Sequence, residues 1–251
     1  MGSFFVEPQH IKDGKVYITG QDAKHLSKVL RIDAGDSVKV FDGSGMEYLV
    51  KLLSVKPSEA TGQIIEQKSS ITEPPIRVNL VQGLPKQGKM ELIIQKTTEL
   101  GITGIFPVET ERSVVRIDKN KAEDKRDRWQ KIAVEAVKQC GRGRIPTVYT
   151  PTTLKAFLDK LDPNNNNLLI MPWEEEASQG LKAVLTEYEQ VRFSDIFILI
   201  GPEGGFSQQE INEVHQLGGK IVTLGPRILR TETAGLAILS AIMYHLGDLG
   251  G

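Results

Sequence analysis

Over the first 70 positions apolar residues alternate with polar residues in short stretches, a pattern that is typical of β-strands. Five strands are predicted there, over residues 4–6, 15–18, 37–41, 47–52 and 62–65. Asp42-Gly43-Ser44-Gly45 separates two of them and is a typical hairpin sequence. One helix is predicted over residues 22–30, with Asp22 as its N-cap. Short strands with one helix indicate a small β-barrel.

The pattern changes after Glu73-Pro74-Pro75, where two prolines stiffen the chain and mark a domain boundary. Apolar runs then alternate with longer helical segments. The predicted strands are 77–82, 104–108, 168–171, 195–200 and 220–224. The predicted helices are 88–100, 121–139, 152–161, 178–190, 207–217 and 233–246. This alternation predicts an α/β domain with a mostly parallel sheet, and hence two domains, 1–72 and 73–251.

Two glycine-bearing motifs lie close together near the C-terminus. Each motif lies at the end of a predicted strand and is followed by a predicted helix. The first motif is Ile198-Leu199-Ile200-Gly201-Pro202-Glu203-Gly204-Gly205, and the second is Leu224-Gly225-Pro226-Arg227-Ile228-Leu229-Arg230. Ser207-Gln208-Gln209-Glu210 is a capping box at the first of these helices. Two strand-end loops separated by one helix indicate a ligand site at the carboxyl edge of the sheet, because glycine lets the backbone approach a ligand closely.

These two motifs resemble the cofactor-binding motifs of the SPOUT superfamily of RNA methyltransferases. Within it the chain is similar to the RsmE family, which methylates N3 of a uridine in 16S ribosomal RNA. Segments 25–31, 91–101 and 135–142 resemble further motifs of that family, so the resemblance spans nearly the whole chain. It implies an N-terminal PUA-like RNA-binding β-barrel and a C-terminal SPOUT domain that contains a deep trefoil knot. The hydrophobic pattern alone does not predict a knot.

The resemblance implies S-adenosylmethionine as the cofactor, with Gly201, Leu224, Gly225 and Leu229 lining its pocket. Neighbouring backbone and apolar groups complete the expected pocket, namely Ile200, Gly205, Ile228 and Ala234.

Three charged residues in or next to the motifs are catalytic candidates. Arg230 precedes a helix N-terminus, and we expect it to contact the substrate and stabilise a uracil anion. Glu203 and Glu232 are candidate general bases or partners of a cofactor amine. The alternative for both is a structural role near a helix start, where Thr231 or Thr233 would cap the last helix.

The distribution of charge adds a basic central region to this picture. The net charge is only −1, but residues 77–150 carry 15 basic and nine acidic side chains, whereas residues 151–251 carry seven and 13. The excess favours a phosphate-facing surface, with a solvated helix face as the alternative. Candidate RNA contacts from this region and from the family motifs are His25, Arg31, Lys86, Lys89, Arg112, Gln139 and Arg142.

A phosphate-binding P-loop is a competing interpretation of residues 83–89, which match G-x-x-x-x-G-K. Met90 stands where a Ser or Thr should hold magnesium, and Pro85 removes one backbone amide. We therefore favour a loop that contacts RNA phosphates through Lys86 and Lys89, with a plain solvated loop as the alternative.

The remaining features concern partners and location. One cysteine, no apolar run of about 20 residues and no signal-peptide layout predict a cytoplasmic protein without a membrane span. The resemblance implies 16S ribosomal RNA in the small subunit as the partner and a homodimer. We expect neither DNA nor a metal ion as a partner. The apolar stripe of the last helix fits a dimer contact or an intramolecular core.

Two alternative functions remain beside the uridine N3-methyltransferase. One is a related SPOUT enzyme with another base or ribose target, and the other is a non-catalytic ribosome-assembly factor.

Overall fold

The computed structural model describes residues 3–86, 88–116, 118–162, 165–176 and 178–250, which form two compact units. The first unit runs to Glu73 and also includes Val137–Ile145. The second contains Pro74–Ala136 and the chain from Pro146 onward. The sequence pattern did not predict that Val137–Ile145 would join the first unit.

The first unit is built on a six-stranded, mostly antiparallel sheet in the order β1-β4-β5-β6-β3-β2. Its strands are β1 (Ser3–Phe5), β2 (Ile11–Lys12), β3 (Lys15–Thr19), β4 (Ser37–Phe41), β5 (Met46–Val55) and β6 (Glu59–Ser69). All five predicted strands are confirmed, and so is the hairpin between β4 and β5. The short β1 and β2 are the edges of the described sheet, so the predicted PUA-like β-barrel is a half-barrel.

One short helix packs on this sheet. Helix α1 (Gly20–Lys24) is followed by a π-helical turn, His25–Val29, whose Leu26 is fully buried among the apolar residues of the strands. The predicted N-cap at Asp22 is wrong, because the helix begins two residues earlier and Asp22 lies in its first turn.

The second unit contains a seven-stranded sheet in which every described pairing is parallel, which confirms the predicted α/β class. The order is β10-β8-β7-β12-β11-β13, with β9 beside β8. These strands are β7 (Val78–Gly83), β8 (Gly104–Glu109), β9 (Thr147–Val148), β10 (Thr152–Thr153), β11 (Asn167–Pro172), β12 (Asp195–Ile200) and β13 (Lys220–Val222). The sequence pattern missed β9 and β10, because two residues show no periodicity.

Helices cover both faces of this sheet, and all six predicted helices are present. They are α2 (Lys89–Glu99), α3 (Ala122–Cys140), α4 (Leu154–Leu158), α5 (Leu181–Glu187), α6 (Gln208–Gln216) and α7 (Thr231–His245). Successive residues of β12 alternate between two apolar clusters, one formed with α2, α5 and α7 and the other with α4 and α6. No described helix is long and apolar enough to cross a bilayer.

The apolar stripe of α7 belongs to the core of the second unit. Ile238, Leu239 and Ile242 are fully buried and Met243 is nearly so, whereas Leu236 is half-buried. The sequence left open whether the stripe contacts a second copy of the chain or packs inside the same chain. These four side chains pack inside the same chain. Their burial anchors α7 on the sheet and places its first turn beside the end of β12, since Thr231 bonds to Gly201.

Candidate active site

A cavity of about 780 Å³ opens at the carboxyl edge of the parallel sheet, where β11, β12 and β13 end. Its walls are the loop after β12 (residues 201–206), the loop after β13 (residues 223–230) and residues 172–174, which close β11 and follow it. All eight residues predicted for the cofactor pocket line this cavity. Their role in cofactor binding stays a prediction. Among the described residues no group of His, Cys, Asp or Glu is arranged to hold a metal ion.

Glycine is needed at two positions of these loops for different reasons. A Cβ atom on Gly201 would lie 3.1 Å from the Cα and carbonyl carbon of Gly205, so the turn is closed tightly on itself. Gly225 has φ of 107°, in the left-handed region that side chains disfavour. The backbone of both loops is therefore shaped by glycine at the cavity wall.

A three-membered ion cluster joins the loop after β12 to the starts of α2 and α7. The Nζ atom of Lys89 lies 3.0 Å from Glu203 Oε1 and 3.2 Å from Glu232 Oε2. The backbone amide of Lys86 also donates to both oxygens of Glu203, at 3.1 and 3.2 Å. The sequence predicted RNA contacts for Lys86 and Lys89, but the Lys89 ammonium is engaged by these two carboxylates.

The cluster shifts the titration of its members. The hydrogen bond to Glu203, and then the ion pair with Glu232, raise the pKa of Lys89. Burial raises the pKa of Glu203, but hydrogen bonds from Lys89 and from backbone amides outweigh it, so that this pKa is lowered overall. A bond from its own backbone amide, together with Lys89, lowers the pKa of Glu232. Both carboxylates are thus ionised at neutral pH and are weak proton acceptors, which argues against either as the general base.

Arg230 occupies the N-cap position of α7 and is exposed at the rim of the cavity. Its side chain makes no capping bond. Neither Thr231 nor Thr233 caps this helix, since both lie within it. Instead the buried Thr231 hydroxyl donates to the carbonyl oxygen of Gly201 at 2.6 Å, a contact that sequence reasoning missed.

The loop after β8 also reaches the cavity. Arg112 is exposed, lines the cavity, and donates from Nη1 to the carbonyl oxygen of Gly204 at 3.3 Å. The neighbouring amide of Glu111 donates to Glu210, whose carboxylate also closes the predicted capping box with Ser207. The capping box is therefore confirmed, and through Glu210 it ties the loop after β8 to the loop after β12.

The other four predicted RNA contacts lie in the first unit. His25 and Gln139 are exposed. Arg31 is also exposed and has φ of 51°, a conformation uncommon for a residue other than glycine. Arg142 is buried, and its Nη2 lies 2.7 Å from the Glu73 carboxylate. That buried ion pair argues against a direct RNA contact by Arg142, because breaking it would leave Glu73 unpaired.

Comparison with known proteins adds to this geometry. Residues 72–243 match a model of the RNA methyltransferase domain, and residues 18–65 match the RNA methyltransferase PUA domain. The whole chain is 36% identical to Ribosomal RNA small subunit methyltransferase E of Bacillus subtilis (strain 168), over 99% of that protein. Two solved structures are also similar. One is a Ribosomal RNA small subunit methyltransferase E from Neisseria gonorrhoeae bound to S-adenosyl methionine, at 31% identity, a TM-score of 0.83 and 99% of each chain. The other is a putative methyltransferase from Legionella pneumophila in complex with the bound cofactor SAM, at 30% identity, a TM-score of 0.76 and 98% of each chain.

Proposed function

The chain belongs to the ribosomal RNA small subunit methyltransferase E family, and from that premise we propose that it methylates N3 of a uridine in 16S ribosomal RNA with S-adenosylmethionine. The target lies in the decoding region of the assembled small subunit. The observation that carries this proposal is the cavity at the carboxyl edge of the sheet, lined by both glycine loops. Its volume of about 780 Å³ lies within the range of small-molecule sites.

The residues of the cavity fit S-adenosylmethionine. Leu224, Ile228 and Leu229 provide apolar surface for an adenine ring beside exposed backbone groups of the glycine loops. When bound, the cofactor supplies an electrophilic sulfonium methyl group. The task of the chain is then to orient that group and the uridine.

Arg230 stabilises the reacting base. Uracil N3 carries a proton that must leave before or during methyl transfer, and its pKa lies above neutral. The guanidinium of Arg230, exposed at the rim of the cavity, offsets the negative charge that develops on the uracil oxygens as the proton passes to solvent. The positive end of α7 adds to this effect.

Glu203 and Glu232 hold the site together rather than accept the proton. Their lowered pKa values and shared bond to Lys89 suit a permanent ion cluster. Lys89 therefore fixes the loop after β12 relative to α7 and does not contact RNA phosphate.

RNA contacts come from exposed positive or polar residues of both units. In the PUA-like domain, residues 1–72, His25 and Arg31 face solvent. In the methyltransferase domain, residues 73–251, Arg112 is exposed at the cavity. Such contacts position the RNA, and the target uridine must be unpaired or flipped to enter. A ribosomal substrate supports a cytoplasmic location.

The resemblance to SPOUT enzymes extends this proposal to a trefoil knot and a homodimer. In support of a knot, β12 lies between β7 and β11, and the later α7 returns to bond the loop after β12. In support of a dimer, Ile228 and Tyr244 leave 83% and 74% of their surface exposed.

Methyl transfer to small subunits that lack N3-methyluridine tests the proposed function. Purified subunits are incubated with the protein and S-adenosylmethionine, and the 16S ribosomal RNA is digested to nucleosides for mass spectrometry. We expect one N3-methyluridine per subunit. Methylation of ribose or of another base would assign a different target, and absence of transfer would contradict the proposal.

A further inference from the structure

A buried glutamine lies beneath the cavity and belongs to none of the site residues named so far. Gln82 is the penultimate residue of β7 and has no exposed surface. Its neighbour across the sheet is Ile200, the last residue of β12. A side-chain amide that is fully buried needs hydrogen-bond partners, so the groups that it bonds indicate its role.

Those contacts form a chain of hydrogen bonds with one possible direction. Gln82 Nε2 donates to the Gly83 carbonyl and to Thr231 Oγ1, both at 2.9 Å. Thr231 then donates its own hydrogen to the Gly201 carbonyl at 2.6 Å. The direction is fixed because the two glycine carbonyls can only accept. The chain of bonds thus runs from β7 through the start of α7 to the loop after β12.

The amide of Gln82 is only half satisfied. Its Oε1 is buried and has no hydrogen-bond partner among the described residues, which costs stability. Its Nε2 donates two hydrogen bonds, and one of them goes to Thr231 in the wall of the cavity. A half-satisfied buried amide that is bonded to a wall residue points to a role in holding that wall.

We propose that Gln82 is a positioning residue for cofactor binding. It orients the Thr231 hydroxyl, which lies at the cavity wall and fixes the Gly201 carbonyl, and so holds residues 201–206 in the form that accepts the ligand. This rests on the proposed function, since it takes S-adenosylmethionine as the ligand. Gln82 itself touches neither cofactor nor substrate.

Calorimetric titration with S-adenosylmethionine tests this role in four variants. Gln82→Met removes the amide at nearly constant volume, Thr231→Val removes the hydroxyl, Thr231→Ser retains it, and the fourth combines Gln82→Met with Thr231→Val. We expect Gln82→Met and Thr231→Val each to raise Kd on the order of tenfold, and Thr231→Ser to stay within about threefold of wild type. The double variant should bind no more weakly than either single variant, because both act through one chain of bonds.

Steady-state methyl transfer separates positioning from chemistry. In Gln82→Met the KM for S-adenosylmethionine should rise while kcat at saturating cofactor stays within about threefold of wild type. Unchanged affinity in Gln82→Met, additive effects in the double variant, or equal damage from Thr231→Ser and Thr231→Val would each overturn the proposal. Thermal unfolding shows whether Thr231→Val is folded. If it is not, the difference in Kd between Gln82→Met and Thr231→Ser tests the proposal. Wild-type protein that binds no cofactor would instead refute the proposed function.

Discussion

Gly201 packs so closely against Gly205 that a side chain at this position must displace the loop after β12. We expect Gly201→Val to raise the Kd for S-adenosylmethionine at least about tenfold, because a small shift of the loop misplaces the ligand. The physical reason for that shift is a clash of the valine Cβ atom with backbone atoms 3.1 Å away. Calorimetry measures the effect.

Gly180→Ala is the matched control for that substitution. A Cβ atom there meets no heavy atom of the described residues within 4 Å, and φ of −80° suits any residue. Its Kd should match that of wild type. Wild-type affinity in Gly201→Val would remove Gly201 from the binding site.

In the proposed mechanism Arg230 acts on the substrate and not on the cofactor. We therefore expect Arg230→Ala to lower kcat on the order of 100-fold while the Kd for S-adenosylmethionine changes by less than about threefold. Arg230→Lys should recover part of the rate because it retains the charge. Arg192→Ala, a change of an exposed arginine outside the cavity, is the control. Equal losses of rate and cofactor affinity would contradict the substrate-side role.

At the residue scale, the sequence predicted features formed by consecutive residues and missed contacts between residues that are far apart along the chain. The glycine loops could be read from consecutive residues, because each is a strand end followed by a helix start. The bond between Gln82 and Thr231 joins residues 149 positions apart, and no spacing rule relates them. Likewise, the two carboxylate partners of Lys89 could not be found without the sheet that brings the loops together.

Among the elements, α6 depends on its capping box for a defined start. We expect Ser207→Ala to reduce the free energy of unfolding by about 1 kcal/mol, because the backbone amide of Glu210 loses its acceptor. Urea unfolding followed by circular dichroism measures this. Gln208→Ala, one residue further on and exposed, should change the free energy by less than about 0.5 kcal/mol. Equal effects of the two substitutions would contradict the capping role.

The ion cluster that joins α2, α7 and the loop after β12 predicts how stability depends on pH. The carboxylates have lowered pKa values, so their contribution is present above the unfolded-state pKa of roughly 4.3 and is lost as pH falls through the folded-state values. The pKa of Lys89 is raised, so its contribution is present below roughly pH 10.4 and is lost as pH rises beyond that. Between these limits the contribution of the cluster stays constant.

Urea unfolding of wild type and Glu203→Gln between about pH 3.5 and 8 tests this dependence. The stability difference between them should be constant above about pH 5 and shrink below it. Glu189→Gln, a change of an exposed glutamate, is the control and should follow wild type. A difference that titrates between about pH 6 and 8 would show that Glu203 has a raised pKa, and would restore it as a candidate base.

Long elements were predictable from periodicity, and short ones were not. The strand at residues 195–200 was predicted with its observed bounds, since it is a buried apolar run that ends at glycine. Helix α1 was misplaced because its start at Gly20 carries no side-chain cap. The edge strand β2 of the first sheet was also missed, since it has only two residues.

For the whole molecule, the proposed homodimer predicts a sedimentation mass twice that of one chain. Tyr244 is 74% exposed on α7, and Tyr244→Glu should shift the protein toward monomer by placing a charge in the interface. Leu53→Glu changes an exposed apolar residue of β5 and should leave the mass unchanged. A monomeric wild-type protein at micromolar concentration would contradict the dimer.

The division into two units shows the limit of sequence reasoning at this scale. The proline pair marks where the chain leaves the first unit, but the return of Val137–Ile145 depends on contacts such as the Glu73–Arg142 pair. Those residues are 69 positions apart. The fold class followed from alternating strands and helices, whereas the order of the strands required the structure.

Calorimetric titration of the purified wild-type protein with S-adenosylmethionine tests the central claim most directly, namely that the two glycine loops form a cofactor site. Magnesium-ATP is the comparison ligand, because residues 83–89 resemble a P-loop. We predict saturable binding of S-adenosylmethionine at one site per chain and no binding of magnesium-ATP. Binding of magnesium-ATP alone, or of neither ligand, would contradict the claim.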